Sequence, residues 1–347
     1  MMPRARPPPW QRLPIAGALV VPATHAADAV LQPAGPLAAT LAEMSWVLIA
    51  GAAVLFVGVM ALLAWALLSA RHHPLTPRQA RRWLLGGGVL LPAVVLSALL
   101  AYTALRSQHT LPASWLASGA PPADPRALVI SITARAWWWE IAYHDPRHGG
   151  PVLLANELHL PVGRPVTLGL NSADVIHSFW VPALAGKVDM LPGRVHRLVL
   201  QADKPGVYRG PCAEFCGEQH ARMVLQVVAR PAEEFERWLA AQAAPAAPPA
   251  DALALRGQAV YLEQRCNACH QVRGLVGAEN HTGLGPDLTH VGSRRMLAAG
   301  AAPNDLAHLA VWVAQPQRFK PGVRMPGRES LDDGSLQALA AYLAQLK

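Results

Sequence analysis

The sequence of 347 residues predicts a multidomain membrane protein with a two-helix hairpin, a β-sandwich and a small all-α domain. Two long uncharged stretches near the N-terminus predict the hairpin. Short β-branched and aromatic runs between Pro/Gly turns predict the sandwich, and apolar residues at helical spacing predict the C-terminal domain. The composition agrees, because 52% hydrophobic and 15% charged residues are unusual for a soluble globular protein.

The N-terminal part contains the signals for export and membrane insertion. Residues 1–26 combine arginines, an apolar run and small residues at a cleavage site, which predicts a signal peptide; the alternative is an unstructured Pro-rich terminus. Residues 44–70 and 83–105 are uncharged and longer than the roughly 20 residues that span a bilayer. We therefore predict a transmembrane hairpin at residues 40–106, with a buried soluble hairpin as the alternative.

The charge distribution sets the predicted topology. Residues 71–82 contain four arginines and no acid, so the positive-inside rule places this loop in the cytoplasm and both flanks outside. Much of the formal net charge of +8 lies in residues 1–124, which contain eight arginines and three acidic residues. Because the excess surrounds apolar segments rather than a folded domain, the sequence excludes a nucleic-acid-binding protein.

The part after the hairpin divides into a β domain and a helical domain. A Ser/Pro/Ala-rich linker at 107–125 precedes an antiparallel β-sandwich or barrel at 125–240. An Ala/Pro linker at 241–251 leads to the all-α domain at 252–347. The predicted strands are 127–143, 152–160, 165–170, 195–200 and 223–229, and the predicted helices are 231–242, 253–266 and 336–346.

A soft-metal motif lies in the β domain. Its members are Cys212, Cys216, His220 and Met223, with Glu214 between the thiols. Thiolate, imidazole and thioether ligands are typical of copper electron-transfer sites. His177 precedes the motif in the sequence, and a loop between strands can bring it beside the thiols. A disulfide between the two cysteines and a zinc site are the alternatives.

A second motif, Cys266-x-x-Cys269-His270, is typical of covalent attachment of haem c. Its thiols would add to the haem vinyl groups, and its histidine would bind the iron. Without that histidine, a redox pair or half a zinc site would be the alternative. The predicted distal ligand is Met325, which precedes a proline. Its competitors are Met296, His281 and His290.

Other charged and titratable side chains have simpler interpretations. Arg318, Lys320, Arg324 and Arg328 surround Met325. They form either a solvated basic rim or a docking surface for an acidic donor or an acidic face of the copper domain. The remaining histidines of the β domain are predicted to lie on the surface or in loops. They are His144, His148, His159 and His196.

Residues 40–240 resemble subunit II of the haem-copper cytochrome c oxidases. The resemblance rests on the two spans, Trp137-Trp138-Trp139, the block His177-Ser178-Phe179-Trp180 and the cysteine run. The C-terminal domain resembles class I cytochrome c through the Cys-x-x-Cys-His motif, Gly285-Pro286-Asp287-Leu288 and the Met-Pro pair. Together they resemble the fused, caa3-type subunit, which implies a cupredoxin-like β-sandwich and an all-α cytochrome c domain.

The resemblance implies a binuclear copper centre, CuA, and one haem c. In it, Cys212 and Cys216 bridge two coppers, His177 and His220 are terminal ligands, Met223 is a weak ligand and Glu214 binds through its carbonyl. For haem c, Cys266 and Cys269 are the covalent attachments, and His270 and Met325 are the axial ligands. Trp137 is implied as an electron entry point, although rings of this run also suit the core. The Glu214 carboxylate is implied to face a Mg²⁺ shared with the catalytic subunit.

The function implied is electron transfer in a respiratory terminal oxidase of the bacterial inner membrane. Electrons pass from a donor, a soluble cytochrome c or another carrier, through haem c and CuA to catalytic subunit I, which reduces O₂ to water. The chain carries no catalytic residue of its own, and its partners are the oxidase subunits and membrane lipid. A CuA-containing nitric oxide reductase and a membrane-tethered electron carrier are the alternatives. One departure is that residues 76–83 lack the acid found near the proton channel of relatives.

Overall fold

The computed structural model describes residues 30–69, 75–107, 128–276 and 283–347. It divides into one unit of residues 39–125 and another of residues 1–38 and 126–347. The predicted signal peptide, nearly all of the first linker and His281 lie outside the described residues.

Two long apolar helical segments correspond to the predicted transmembrane hairpin. The first is α1 (Pro36–Leu68). The second joins α2 (Pro77–Leu85), a π-helical turn (Gly86–Leu90) and α3 (Leu91–Ser107). Both are long and apolar enough to cross a membrane. Their most apolar stretches are not buried against other parts of the described protein. That exposure disagrees with a buried soluble hairpin, which would hide these side chains.

A π-helical turn interrupts the second rod where the sequence combines three glycines with a proline. The Leu91 amide bonds the Gly86 carbonyl, five residues back, instead of the usual four. Pro92 has no amide hydrogen to continue the regular ladder, so the local hydrogen bonding readjusts. At the other end of this rod, the Thr76 hydroxyl and the Gln79 side chain form a capping box that begins α2.

The β domain is a sandwich of two sheets with ten strands among the described residues. Its strands are β1 (Val129–Arg135), β2 (Trp138–His144), β3 (Val152–Ala155), β4 (Glu157–Pro161), β5 (Val166–Ser172), β6 (His177–Phe179), β7 (Val188–Met190), β8 (His196–Leu200), β9 (Gly206–Pro211) and β10 (Val224–Arg230). One sheet has the order β3-β2-β1-β5-β8 and the other β4-β10-β9, while β6 and β7 form a short ribbon. Ile132 and Leu168 of the first sheet share one core with Leu158 and Val227 of the second. The predicted β-sandwich is therefore confirmed.

The purely antiparallel arrangement predicted for this domain is wrong. Strand β1 pairs in parallel with β5, and β4 pairs in parallel with β10. The sequence pattern gives the faces of strands but not their partners, because period-two burial is the same in both kinds of pairing. Strands β6, β7 and β9 were not predicted, and β6 lacks any alternation because all three of its residues are buried.

The prediction that His159 lies on the surface or in a loop is also wrong. This histidine is only 3% exposed, on a strand buried on both faces. Its Nε2 lies 2.8 Å from Glu157 Oε1, and its ring stacks on Trp238 with centroids 3.8 Å apart. Burial lowers the pKa of His159 despite its carboxylate partner. Packing against α4 (Ala232–Ala243), which contains Trp238, therefore decides its environment.

The C-terminal domain contains four described helices around a separate apolar core. They are α5 (Ala252–Glu263), α6 (Leu306–Ala314), α7 (Pro316–Phe319) and α8 (Asp333–Gln345). A two-residue ribbon pairs β11 (Met296–Leu297) with β12 (Ala302–Pro303). Helices α5 and α8 touch closely at Gly257, where a Cβ would lie 2.0 Å from the Ala338 carbonyl oxygen. The predicted small helical domain is confirmed.

Candidate copper centre and haem-attachment site

The structure brings together the sulfur and imidazole groups predicted for the metal site. The two thiols, Cys212 Sγ and Cys216 Sγ, are 3.9 Å apart. His177 Nδ1 lies 3.9 Å from the first sulfur, and His220 Nδ1 lies 3.6 Å from the second. Met223 Sδ is 4.0 Å from Cys216 Sγ. These donors form one continuous cluster, buried at its thiols and at His177.

Strand β6 and the loop from β9 to β10 build this cluster. Strand β6 begins with His177, while the first thiol, Cys212, directly follows β9. The backbone closes the loop, because the Cys212 amide donates to the Met223 carbonyl at 2.9 Å. Between these positions a 3₁₀ turn, His220–Arg222, carries the second imidazole. The loop is therefore held at both ends by the second sheet.

The two thiols cannot be a disulfide in this arrangement. A disulfide requires sulfur atoms about 2.05 Å apart, whereas these are separated by 3.9 Å. Metal–thiolate bonds are about 2.3 Å long, so one ion can reach both sulfurs across this separation. The donor set of sulfur and imidazole also suits copper. The residues present therefore fit a copper centre.

The electrostatics of the thiol pair also favour a bound cation. The hydrogen bond from Cys216, together with that from His177, lowers the pKa of Cys212 to about 3 although burial opposes it. The pKa of Cys216 is raised, because its loss of a proton would put two thiolates side by side in a buried place. A positive ion between the sulfurs would remove that repulsion and allow both to ionise.

His177 has a partner that orients its ring. The second ring nitrogen, Nε2, lies 2.8 Å from Asp174 Oδ1, which leaves Nδ1 facing Cys212. Burial lowers the pKa of His177, but the hydrogen bonds to Cys212 and Asp174 outweigh it and raise the pKa overall. Asp174 was not predicted as part of the site, although its position three residues before the histidine is a usable signal.

We expect Asp174→Asn to weaken copper binding by about 10- to 100-fold, because loss of such an outer partner lowers metal affinity by that factor. The measurement is a competitive copper titration of the full chain. Asp203→Asn is the matched control, since Asp203 is exposed and bonds Gln201 away from the cluster. Equal affinities of the two variants would show that the carboxylate does not orient His177.

The backbone and the side chain of Glu214 have different surroundings at this site. Its carbonyl oxygen lies 3.4 Å from Cys212 Sγ, which is the group that the resemblance assigns to copper. Its carboxylate lies 3.5 Å from Lys187 Nζ and is 42% exposed. The backbone thus faces the thiols, while the carboxylate faces outward.

The haem-attachment motif lies on a 3₁₀ turn, Cys266–Ala268, just after α5. His270 Nδ1 lies 2.8 Å from the Pro286 carbonyl oxygen and donates its hydrogen there. The other ring nitrogen is then left with a lone pair, as an iron ligand requires. Burial lowers the pKa of this histidine, which keeps the ring neutral.

One cavity of about 340 Å³ contains the groups predicted to hold the haem. Cys266, Cys269, His270 and Met325 all line it, in surroundings that are mostly apolar. Met296 lines the same cavity, so it remains a competitor for the distal position. His290 is not among the lining residues, because its Nε2 bonds the Ala244 carbonyl at 3.0 Å. The residues present therefore fit a haem attached through two thioethers.

Gly285 touches the predicted proximal histidine. A Cβ at this position would lie 2.5 Å from His270 Cε1, so only glycine allows the ring to pack here. We expect Gly285→Ala to displace the ring and destabilise the domain by about 1–3 kcal/mol. Haem content and thermal unfolding of the full chain measure the effect. Gly150→Ala is the control, since no atom lies within 4 Å of its added Cβ; equal stability of the two would contradict the packing argument.

Trp137 lies between the two sites. Its indole Nε1 donates to the Cys216 carbonyl at 2.8 Å, and the same residue lines the haem cavity. The ring is half-buried, whereas Trp139 is in the core at 1% exposure. The neighbouring tryptophans therefore have different environments.

The first of the two interpretations of the basic residues around Met325, a solvated rim, does not hold for Lys320. It is 2% exposed, and its Nζ donates to the Trp137 carbonyl at 2.5 Å. It contacts the β domain through a backbone carbonyl rather than an acidic face. The charge pattern alone gave no signal for this burial, because it arises where the two domains meet.

Comparison with known proteins finds matches for both redox domains. Residues 150–230 match the family model of the cytochrome c oxidase subunit II periplasmic domain, and residues 254–347 match that of cytochrome c. The chain is 35% identical over 227 residues to cytochrome c oxidase subunit 2 of Alkalihalophilus pseudofirmus, covering 65% of this chain and 64% of the relative. The subunit from Bacillus subtilis is 31% identical over 228 residues, 64% of this chain and 63% of the relative.

A solved structure gives a further comparison, the periplasmic domain of subunit II of cytochrome oxidase of Bradyrhizobium japonicum. It is 31% identical, and the match covers 36% of this chain and 96% of that one with a TM-score of 0.32. The chain spans just under two thirds of the length of the curated relatives named above. The chain therefore contains a region that matches the periplasmic domain of cytochrome c oxidase subunit II, followed by a region that matches cytochrome c.

Proposed function

We propose that this chain is the electron-transfer subunit of a respiratory terminal oxidase. It would pass electrons from a donor through haem c to CuA, and on to a catalytic subunit that reduces O₂ to water. The observation that carries the proposal is the contact of one residue, Trp137, with both the copper cluster and the haem cavity. A chain in which one residue contacts both candidate redox sites is suited to moving electrons between them.

When bound, the two coppers and the haem supply the one-electron chemistry, and the protein residues hold them. Cys212 and Cys216 would bridge the coppers, with His177 and His220 as terminal ligands. Met223 would be a weak ligand, and Glu214 would contribute its carbonyl. The support of the loop by the paired strands β9 and β10 favours a site that keeps its shape as the charge changes, because strand positions are fixed on both sides of the loop.

The haem residues have equally distinct roles in the proposal. Cys266 and Cys269 would form the thioether links, and His270 would be the proximal ligand, oriented by the Pro286 carbonyl. Met325 would be the distal ligand. A methionine–histidine pair raises the haem potential compared with two histidines, which suits a donor to copper.

The acceptor of the electrons is proposed to be a separate catalytic subunit I. Among the residues that the structure describes, the copper cluster is the only group of three or more close metal-binding side chains. Reduction of O₂ would therefore take place on another chain, with the Glu214 carboxylate available for a shared Mg²⁺. The membrane hairpin anchors the protein, and we propose that both redox domains face the periplasm of a bacterial inner membrane.

Purification of the intact complex would test the proposal. We expect a haem-copper catalytic subunit to co-purify, a mixed-valence copper EPR signal from this chain, and oxygen uptake with a soluble cytochrome c or another donor. Nitric oxide consumption without oxygen uptake would instead support the nitric oxide reductase. A chain that purifies alone and reduces several acceptors would support the membrane-tethered carrier.

A further inference from the structure

A short segment of the haem domain, residues 319–321, is hydrogen-bonded to the loop between β9 and β10 that carries the proposed copper ligands. The Gln219 side chain donates to the Pro321 carbonyl at 2.7 Å, and the Arg222 side chain donates to the Phe319 carbonyl at 2.6 Å. Between these two contacts, Lys320 Nζ donates to the Trp137 carbonyl at 2.5 Å. Two of these bonds join the loop that carries His220 to the segment that leads to Met325, and the third joins that segment to the turn at Trp137.

The environment of Lys320 is unfavourable for a charged side chain, so its presence there does not stabilise the fold. Its side chain is 2% exposed, and no carboxylate lies within ion-pair distance among the described residues. Burial lowers its pKa to about 7, and the nearby Arg222 charge acts in the same direction. An ammonium that is buried without an anionic partner destabilises the fold, whereas a methionine of similar length would pack without that desolvation cost.

The contacts of Lys320 form a continuous link between the two redox sites. It lines the haem cavity together with Met325. Its ammonium bonds the Trp137 carbonyl, and the indole of the same tryptophan bonds the Cys216 carbonyl at 2.8 Å. Two hydrogen bonds thus connect the wall of the haem cavity with the backbone of a proposed copper ligand. Cys216 is near enough that its ionisation would favour the charged form of Lys320, against the effect of burial.

We propose that Lys320 is a positioning residue for electron transfer between the haem and copper sites. It fixes the haem domain on the Trp137 turn and places a positive charge beside Cys216. This inference rests on the proposed function, because it concerns the rate of the internal transfer. It also predicts two properties that do not depend on turnover. One is the protection of loop 217–222 from hydrogen exchange, and the other is the copper reduction potential.

The test compares Lys320→Met, Lys320→Arg and Lys204→Met in the full chain. Lys204 is an exposed lysine of the β domain, so its replacement removes the same charge away from the contact. We expect Lys320→Met to slow transfer from photoreduced haem to copper by about tenfold or more, since a shift of about 1 Å between reacting groups can cost up to about a hundredfold. It should also lower the copper potential and speed amide exchange in residues 217–222 of the metal-free chain.

Lys320→Arg should recover most of the rate and the potential, and Lys204→Met should match the parent chain. Haem absorption, copper EPR and thermal unfolding show whether the sites and the fold are intact. If Lys320→Met does not fold, Lys320→Gln provides a neutral side chain that can still donate a hydrogen bond.

Rates within twofold of the parent, with unchanged exchange and potential, would overturn the role of Lys320. Loss of stability without a change in rate at 25 °C would also overturn it, because it would leave only a structural role. A parent chain that holds both groups but transfers no electron between them would instead contradict the proposed relay. Exchange protection and potential would then still report whether Lys320 fixes the domains.

Discussion

Replacing Cys216 with serine should abolish the binuclear copper signal and lower oxygen uptake by about a hundredfold or more. This thiol is at the centre of the cluster, within 4.0 Å of the other sulfur, His220 and Met223. A serine hydroxyl is a hard donor that stays protonated at neutral pH, so it cannot replace a bridging thiolate. Because even an outer partner of a metal ligand is worth about 10- to 100-fold in affinity, we expect a ligand to matter at least as much.

Copper analysis and EPR of the purified chain measure this effect, followed by oxygen uptake of the complex. Ser178→Ala is the matched control, because this buried hydroxyl next to His177 has no hydrogen-bond partner among the described residues. The control should keep its copper and its activity. A Cys216→Ser chain that retained the mixed-valence signal would refute the binuclear assignment.

Replacing Met325 with alanine should lower the haem reduction potential and reduce oxygen uptake that depends on a high-potential donor. Loss of methionine ligation lowers the potential. Each decrease of about 60 mV in the haem potential reduces the equilibrium constant for haem reduction by the donor about tenfold. We therefore expect the rate of oxygen uptake to fall by about tenfold or more. A strong artificial reductant should restore much of the uptake, because it reduces the haem at either potential.

Met296→Ala provides the comparison, since both methionines line the cavity. Only loss of Met325 should remove the absorption band of methionine-ligated ferric haem. If that band instead disappears in Met296→Ala, the distal ligand has been assigned to the wrong methionine. If neither variant changes uptake, electrons reach copper without passing through the haem.

The motifs that carry the chemistry were readable from the sequence because their members are close along the chain. Cys212 to Met223 lie in one loop, and Cys266 to His270 lie in one turn. Local spacing therefore brings most of each donor set together without knowledge of the fold. His177 is different, since it reaches the thiols only because β6 lies beside the loop from β9 to β10.

The environments of single residues were harder to predict where distant segments meet. The residues around His159 in the sequence predict an exposed histidine. In the structure, Glu157 and Trp238 enclose its ring. Lys320 belongs to a basic run, yet the β domain covers it. In both cases a partner far along the chain completes the burial, Trp238 for His159 and Trp137 for Lys320, and a local pattern contains no information about it.

The sequence by itself determined the apolar helices, the sandwich and the helical domain, and it predicted the candidate metal-binding side chains that the structure brings together. These depend on periodicity and on residue types at short spacing. Only the tertiary structure decided which strands pair, which methionines share the haem cavity and how Trp137 and Lys320 join the two sites. The physical reason is that burial and hydrogen bonding between domains depend on contacts over long sequence separations, which no local pattern encodes.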